Sequence, residues 1–190
     1  MDHVKKFLDQ LELDKNITVE DIPNIDLYMD QVIQLFESTY SGTKRNEDDK
    51  ILTKTMINNY AKGKLFFQIK NKKYSKEHIL LISLIFHLKG TISIGDIKRV
   101  LEEMNEKIVN EKFDLPQFYG SFLTIVSENM NQFQRDFQEL VTSAENEVQA
   151  FDEKDKDYLE KVLMISSLSY MSNLYRRAAE KLVDEIQGEE

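Results

Sequence analysis

Apolar residues return every three or four positions over most of this chain, the spacing that places them on one face of a helix. The clearest stretch is Ser121 to Gln187, 67 residues without a glycine or a proline. In its first half Phe122, Val126, Met130, Phe133, Phe137, Leu140, Ala144 and Val148 form one stripe bordered by polar residues. Asp152 to Asp157 interrupts the stripe, and an aspartate there suits the start of a second helix from about Asp155 to Ile186. The pattern predicts a long antiparallel helical hairpin. Its second arm carries Leu159, Val162, Leu163, Met164, Ile165, Leu168, Tyr170, Met171, Leu174 and Tyr175, which cover more than one face. A helix apolar on several sides needs several neighbours, and a second copy of the chain supplies them, with Leu163, Leu168, Met171, Leu174 and Tyr175 as expected contacts. Packing back onto the N-terminal half is the competing arrangement.

The N-terminal half reads as shorter helices with clear boundaries. Val4, Phe7, Leu8 and Leu11 make one amphipathic set, and Thr18 with Asp21 forms a capping box that Pro23 cuts short. Asp26 is expected to cap a helix through about Thr39, with Met29, Val32, Ile33 and Phe36 facing inward. Ser41 to Lys50 is polar and predicts a mobile loop. Thr53 caps a helix over Lys54 to Lys62, for which Gly63 is expected to supply a left-handed stop. Leu65 to Tyr74, with Phe66, Phe67, Ile69 and Tyr74 around Lys70-Asn71-Lys72, predicts two short strands and a tight connection. Ser75 opens a helix to Lys89, and Ser93 with Asp96 boxes the start of another running to about Val109. The fold class expected is all-α with a small β wing.

Charge separates this pattern into functional zones. Residues 1 to 43 carry −6, residues 44 to 100 carry +8 and residues 101 to 190 carry −11, within a formal net charge of −9. From Lys50 to Lys76 the chain has eight lysines and no Asp or Glu. Lysines brought beside nucleic-acid phosphates displace condensed counterions, so a local cluster outweighs the chain total, and the acidic remainder repels non-specific contact. A solvated lysine face, or a dock for an acidic protein, is the plainer explanation of the same residues.

Little else carries chemistry. Cysteine is absent, which excludes disulfides, thiolate metal sites and cysteine nucleophiles. His3, His78 and His87 include no pair at the spacing that puts two imidazoles on one metal, and Asp152, Asp155, Asp157 and Glu160 lack the glycine and ligand order of a calcium loop. No phosphate-cradling glycine loop or nucleophile elbow occurs, so no enzyme, no cofactor and no metal is expected. The first residues give no secretory segment and the longest apolar run, Ile79 to Phe86, is too short for a membrane span, so a soluble cytoplasmic protein is expected.

The constellation that remains lies at residues 51 to 66. Ile57 and Tyr60, with Met56, dock one side of the short helix inward, and Lys54, Thr55, Asn58, Asn59 and Lys62 project on the other. Asparagine can pair in a bidentate way with an adenine edge, threonine can meet a thymine methyl, and lysines hold phosphates. Lys64 and the basic turn Lys70, Lys72 and Lys73 would lie alongside as a wing.

The run from Leu52 to Leu101 resembles the DNA-binding head of MerR-type regulators, in the pieces Met56 to Tyr60, Gly63 to Phe66, Lys73 to Glu77 and Ile92 to Ile97. Three blocks, Leu27 to Val32, Leu52 to Tyr60 and Lys72 to Ile79, are still more similar to a bacterial family known only as a domain of unknown function, to which a winged-helix character is attributed. Asn58 and Asn59 depart from the arginine and tyrosine usual in the MerR-type pattern, and the loop Ser41 to Lys50 lengthens its turn. The basic run coinciding with the helix, wing and cap pattern, together with the C-terminal periodicity, gives the expectation of an N-terminal helical extension at 1–23, a winged helix-turn-helix head at 24–108 and a dimerising hairpin at 113–187. For the last, the resemblance likewise implies a C-terminal helix through which two subunits pair. It implies a homodimeric transcriptional regulator that binds double-stranded DNA. A rival helix-turn-helix over Ile82 to Met104 has Asp96, Glu102 and Glu103 on its second helix, against phosphate. A non-catalytic interaction adaptor docking an acidic partner is the alternative function, and a small-molecule effector pocket lined by Phe118, Phe122, Met164 and Met171 is compatible with either.

Overall fold

The computed structural model describes residues 2–186; Met1 of the N-terminal extension and Gln187 of the expected hairpin lie outside them. The described chain is mostly helical: α1 (Asp2–Asp9), β1 (Leu27–Tyr28), α2 (Met29–Tyr40), α3 (Lys54–Lys62), β2 (Lys73–Tyr74), α4 (Lys76–Leu88), α5 (Ile94–Asn110), α6 (Leu115–Glu147) and α7 (Glu153–Ile186). No helix among these residues is long and apolar enough to cross a membrane.

The apolar run that is too short for a bilayer becomes the centre of the molecule. Every residue of α4 from His78 to Ile85 is buried, as a helix without a polar face must be. Val32, Phe36 and Tyr40 of α2, Ile57 and Tyr60 of α3, and Ile97 and Leu101 of α5 belong to the same core. So do Ile17, Ile22, Leu115, Tyr119 and Val183, which lie in the expected extension and hairpin, so one core runs across all three expected segments. Buried hydrogen bonds tie them: the Tyr119 hydroxyl donates to the Ile17 carbonyl at 3.0 Å, and the Ile17 N–H donates to the Tyr40 hydroxyl at 3.3 Å. Both tyrosines have pKa values raised by burial.

Local signals govern most boundaries. The Thr53 hydroxyl accepts the Met56 N–H at 3.1 Å, and the Ser93 hydroxyl accepts the Asp96 N–H at 3.1 Å. Three expectations are corrected. Asp26 does not cap α2, because Leu27–Tyr28 extends as a strand and the helix begins at Met29, where the Gln31 side chain accepts the Tyr28 N–H at 2.9 Å. Gly63 is right-handed (φ −71°), and Lys64 takes the left-handed turn at φ 58°. The Leu65 N–H reaches the Tyr60 carbonyl and the Lys64 N–H that of Ala61, a Schellman stop. Gly63 serves packing instead, since a Cβ there would meet Leu65 Cδ1 at 2.7 Å.

The third correction concerns the wing. Leu65 to Ile69 is not a strand; Lys73–Tyr74 pairs antiparallel with Leu27–Tyr28, and the expected hairpin is reduced to a single bridge between Lys70 and Lys73. Its two turn residues, Asn71 (φ 51°) and Lys72 (φ 58°), are both left-handed, the geometry of a two-residue type I′ turn. Asn-Gly is the pair best suited to that turn, so Lys72→Gly should raise stability by about 0.5–1 kcal/mol, read as a shift of the urea midpoint.

Residues Phe122 to Val148 of the predicted stripe are all at least half-buried; Phe122 packs against the core, and the Phe7 ring of α1 stacks on Phe137 at 5.1 Å. Helix α7 begins two residues earlier than expected, at Glu153. Its C-terminal part returns to the head through Ala179 and the buried Val183. Its middle does not: Leu163, Tyr170, Met171, Leu174 and Tyr175 are exposed, and Leu168 is half-buried.

Candidate nucleic-acid interface

The amphipathic spacing of α3 decides which of its side chains are available. Ile57 and Tyr60 are buried, while Lys54, Thr55, Asn58, Asn59 and Lys62 are all exposed on one arc of the helix. Lys64 is exposed just beyond the helix, and Lys70, Asn71 and Lys72 are exposed at the hairpin tip. Lys73 is half-buried with its ammonium 5.1 Å from the centre of the exposed Tyr28 ring, a cation–π contact made by the β1–β2 pairing.

Two features of this surface escape a reading of the lysine run alone. Asp30 of α2 pairs with Lys54 at 2.7 Å, placing one carboxylate beside the otherwise acid-free arc. Both side chains are largely exposed, so the pair contributes under about 1 kcal/mol and yields readily to a competing phosphate. Lys89, counted in the basic zone, donates to the Ile51 carbonyl at 3.3 Å and lies over the Phe86 ring; burial lowers its pKa. Its role is structural. On the rival helix α5, Arg99 is engaged by Asp96 at 3.4 Å, and Glu102 and Glu103 are exposed.

The hairpin is fastened to the core by His78. Its Nδ1 accepts the Ser75 N–H at 3.2 Å, so the proton resides on Nε2, which donates to the Phe67 carbonyl at 3.2 Å. His78 occupies the position where a capping box usually has Glu or Gln, a signal present in Ser75-Lys76-Glu77-His78 but easily passed over. Burial lowers its pKa below the ordinary 6.5, partly opposed by the Phe67 hydrogen bond and the charges of Glu77 and Asp26. His87, packed against Tyr40 and Phe122, is lowered by burial too.

A buried imidazole with a lowered pKa is protonated first in the unfolded chain, so its contribution to stability is complete above about pH 6.5 and is lost as pH falls toward its folded value. Urea midpoints should therefore fall between pH 7.5 and pH 5.5, and His78→Gln, which keeps a cap acceptor, should reduce that slope while His87 retains the rest. An unchanged slope would count against the His78 assignment.

A comparison of the sequence with protein families matches residues 17–122 to the family described as Domain of unknown function (DUF1836). The chain belongs to that family. The DUF1836 match spans Ile17 through Phe122, hence β1, β2, α2 to α5 and the start of α6, including the whole basic surface. No curated protein and no solved structure matches the chain. Nothing in these matches bears on the MerR-type resemblance. The residues expected to line an effector pocket are dispersed in role: Phe118 lies beside Phe113, Phe122 packs on His87 and Tyr119, and Met171 is exposed.

Proposed function

We propose that this DUF1836 protein is a non-catalytic, dimeric regulator of transcription that binds double-stranded DNA in the cytoplasm through a MerR-like winged helix-turn-helix head. In this reading α2 and α3 form the helix pair, α3 enters the major groove, and the Lys70–Lys73 hairpin is the wing against the adjacent backbone. One observation carries it: Lys54, Thr55, Asn58, Asn59 and Lys62 share an exposed arc whose opposite side is anchored by Ile57 and Tyr60. Amides and a methyl-bearing hydroxyl between lysines suit base edges between phosphates.

The second subunit is a copy of this chain seated on the middle of α7. Val162 to Tyr175 contains no charged residue, and its exposed side chains Leu163, Tyr170, Met171, Leu174 and Tyr175 form an apolar band uncommon on a monomer. Antiparallel pairing about the middle of that tract lays it on itself and brings Glu160 of each copy opposite Arg177 of the other. Arg177 makes no ion pair among the described residues.

Selection of duplexes from a random pool with the full chain tests the reading. Enrichment of a two-fold symmetric site is the expected result, as dimer symmetry requires. Recovery of an unenriched pool would refute sequence-specific binding.

A further inference from the structure

Beneath the wing lies a cavity of about 540 Å³, open to solvent on one side and walled by the 67–78 segment, Asp26 and the end of α5. Its lining combines two cations, Lys70 and Lys73, with two carboxylates, Asp26 and Glu77. Although the four charges line one cavity, none of them takes part in an ion pair among the described residues. Glu77 instead accepts the Ser75 hydroxyl at 2.6 Å, and Lys73 rests on the Tyr28 ring. The remaining wall is supplied by the apolar Phe67, Ile108, Val109 and Phe113, with Gln68 and Ser75 as further polar side chains. His78 is also part of the lining, but both of its ring nitrogens are engaged by Ser75 and Phe67.

A ligand that satisfies this lining must carry an anion for the lysines, a cation for the carboxylates and an apolar body between helix and wing. We propose that the cavity is a binding site for a free α-amino acid with a large apolar side chain, its carboxylate held by Lys70 and Lys73 and its ammonium by Asp26 and Glu77. A lone anion would leave the two carboxylates unneutralised, and a lone amine would leave the lysines so; the zwitterion answers both. The volume is in the range of small-molecule sites. This inference goes beyond the regulator reading and does not depend on it, and its test contains no DNA.

Titration calorimetry on the full chain at neutral pH would use L-phenylalanine and L-leucine as probes, beside 3-phenylpropionate, which lacks the ammonium, and phenethylamine, which lacks the carboxylate. Saturable binding of at least one amino acid, with both truncated analogues at least about tenfold weaker, is expected. Asp26→Asn and Lys70→Gln should each weaken the amino acid by about tenfold or more while the far-ultraviolet circular dichroism stays that of the parent. Asp26 and Lys70 lie outside the core, so these variants retain the fold; should one fail to, the other and the analogue series still decide. No saturable heat with either amino acid overturns the site. Equal binding of 3-phenylpropionate or phenethylamine overturns the zwitterion assignment, as does indifference to both substitutions.

Discussion

Lys54→Glu combined with Lys62→Glu is expected, on the proposed reading, to abolish retention of duplex DNA, with the affinity at moderate salt falling by at least about a hundredfold. Each head would lose two of the proposed phosphate contacts and gain two repulsions, and the slope of log affinity against log salt should flatten by about 2 per head in the parent's remaining measurable range. Both positions are exposed, so circular dichroism and the elution volume remain those of the parent. Asp30→Asn gives the opposite sign: freeing Lys54 from its 2.7 Å partner should tighten binding severalfold. Filter retention of the selected duplex across a salt series reads all three proteins, and retention unchanged in the double variant would remove α3 from the interface.

For the proposed dimer, Tyr170→Glu combined with Leu174→Glu is expected to give a monomer in light scattering after gel filtration. Neither side chain belongs to the core, with relative exposures of 65% and 40%, so the thermal transition of the head should persist. Two heads on the proposed dimer would bind with an effective-concentration gain of about 10²–10⁴ over one, and the double variant should forfeit it on a symmetric site while half-site binding remains. A dimer that survives both glutamates would place the subunit contact elsewhere.

The helical frame and the exposed arc were legible because both follow from local periodicity. Ile57 and Tyr60 lie three apart and the polar residues of α3 fill the complementary angles, so spacing alone predicted which side is buried. The α6 stripe followed for the same reason. The wing was only half visible, because its strand partner, Leu27–Tyr28, lies more than forty residues away and no short window shows a pairing of that range. Lys64 took the left-handed turn expected of Gly63 because the close approach of Leu65 fixes where the glycine is needed. The Asp30–Lys54 pair and the charged cavity likewise join distant segments, which residue spacing does not encode.

Because Val183 is plugged into the head at one end of a 34-residue helix about 50 Å long, α7 behaves as a strut clamped at its far tip. Between its ends it lies against both α6 and α5. The same α5 ends in Ile108 and Val109 below the hairpin tip. One continuous helix thus stands between the long C-terminal rod on one flank and the floor under the lysine-bearing tip on the other.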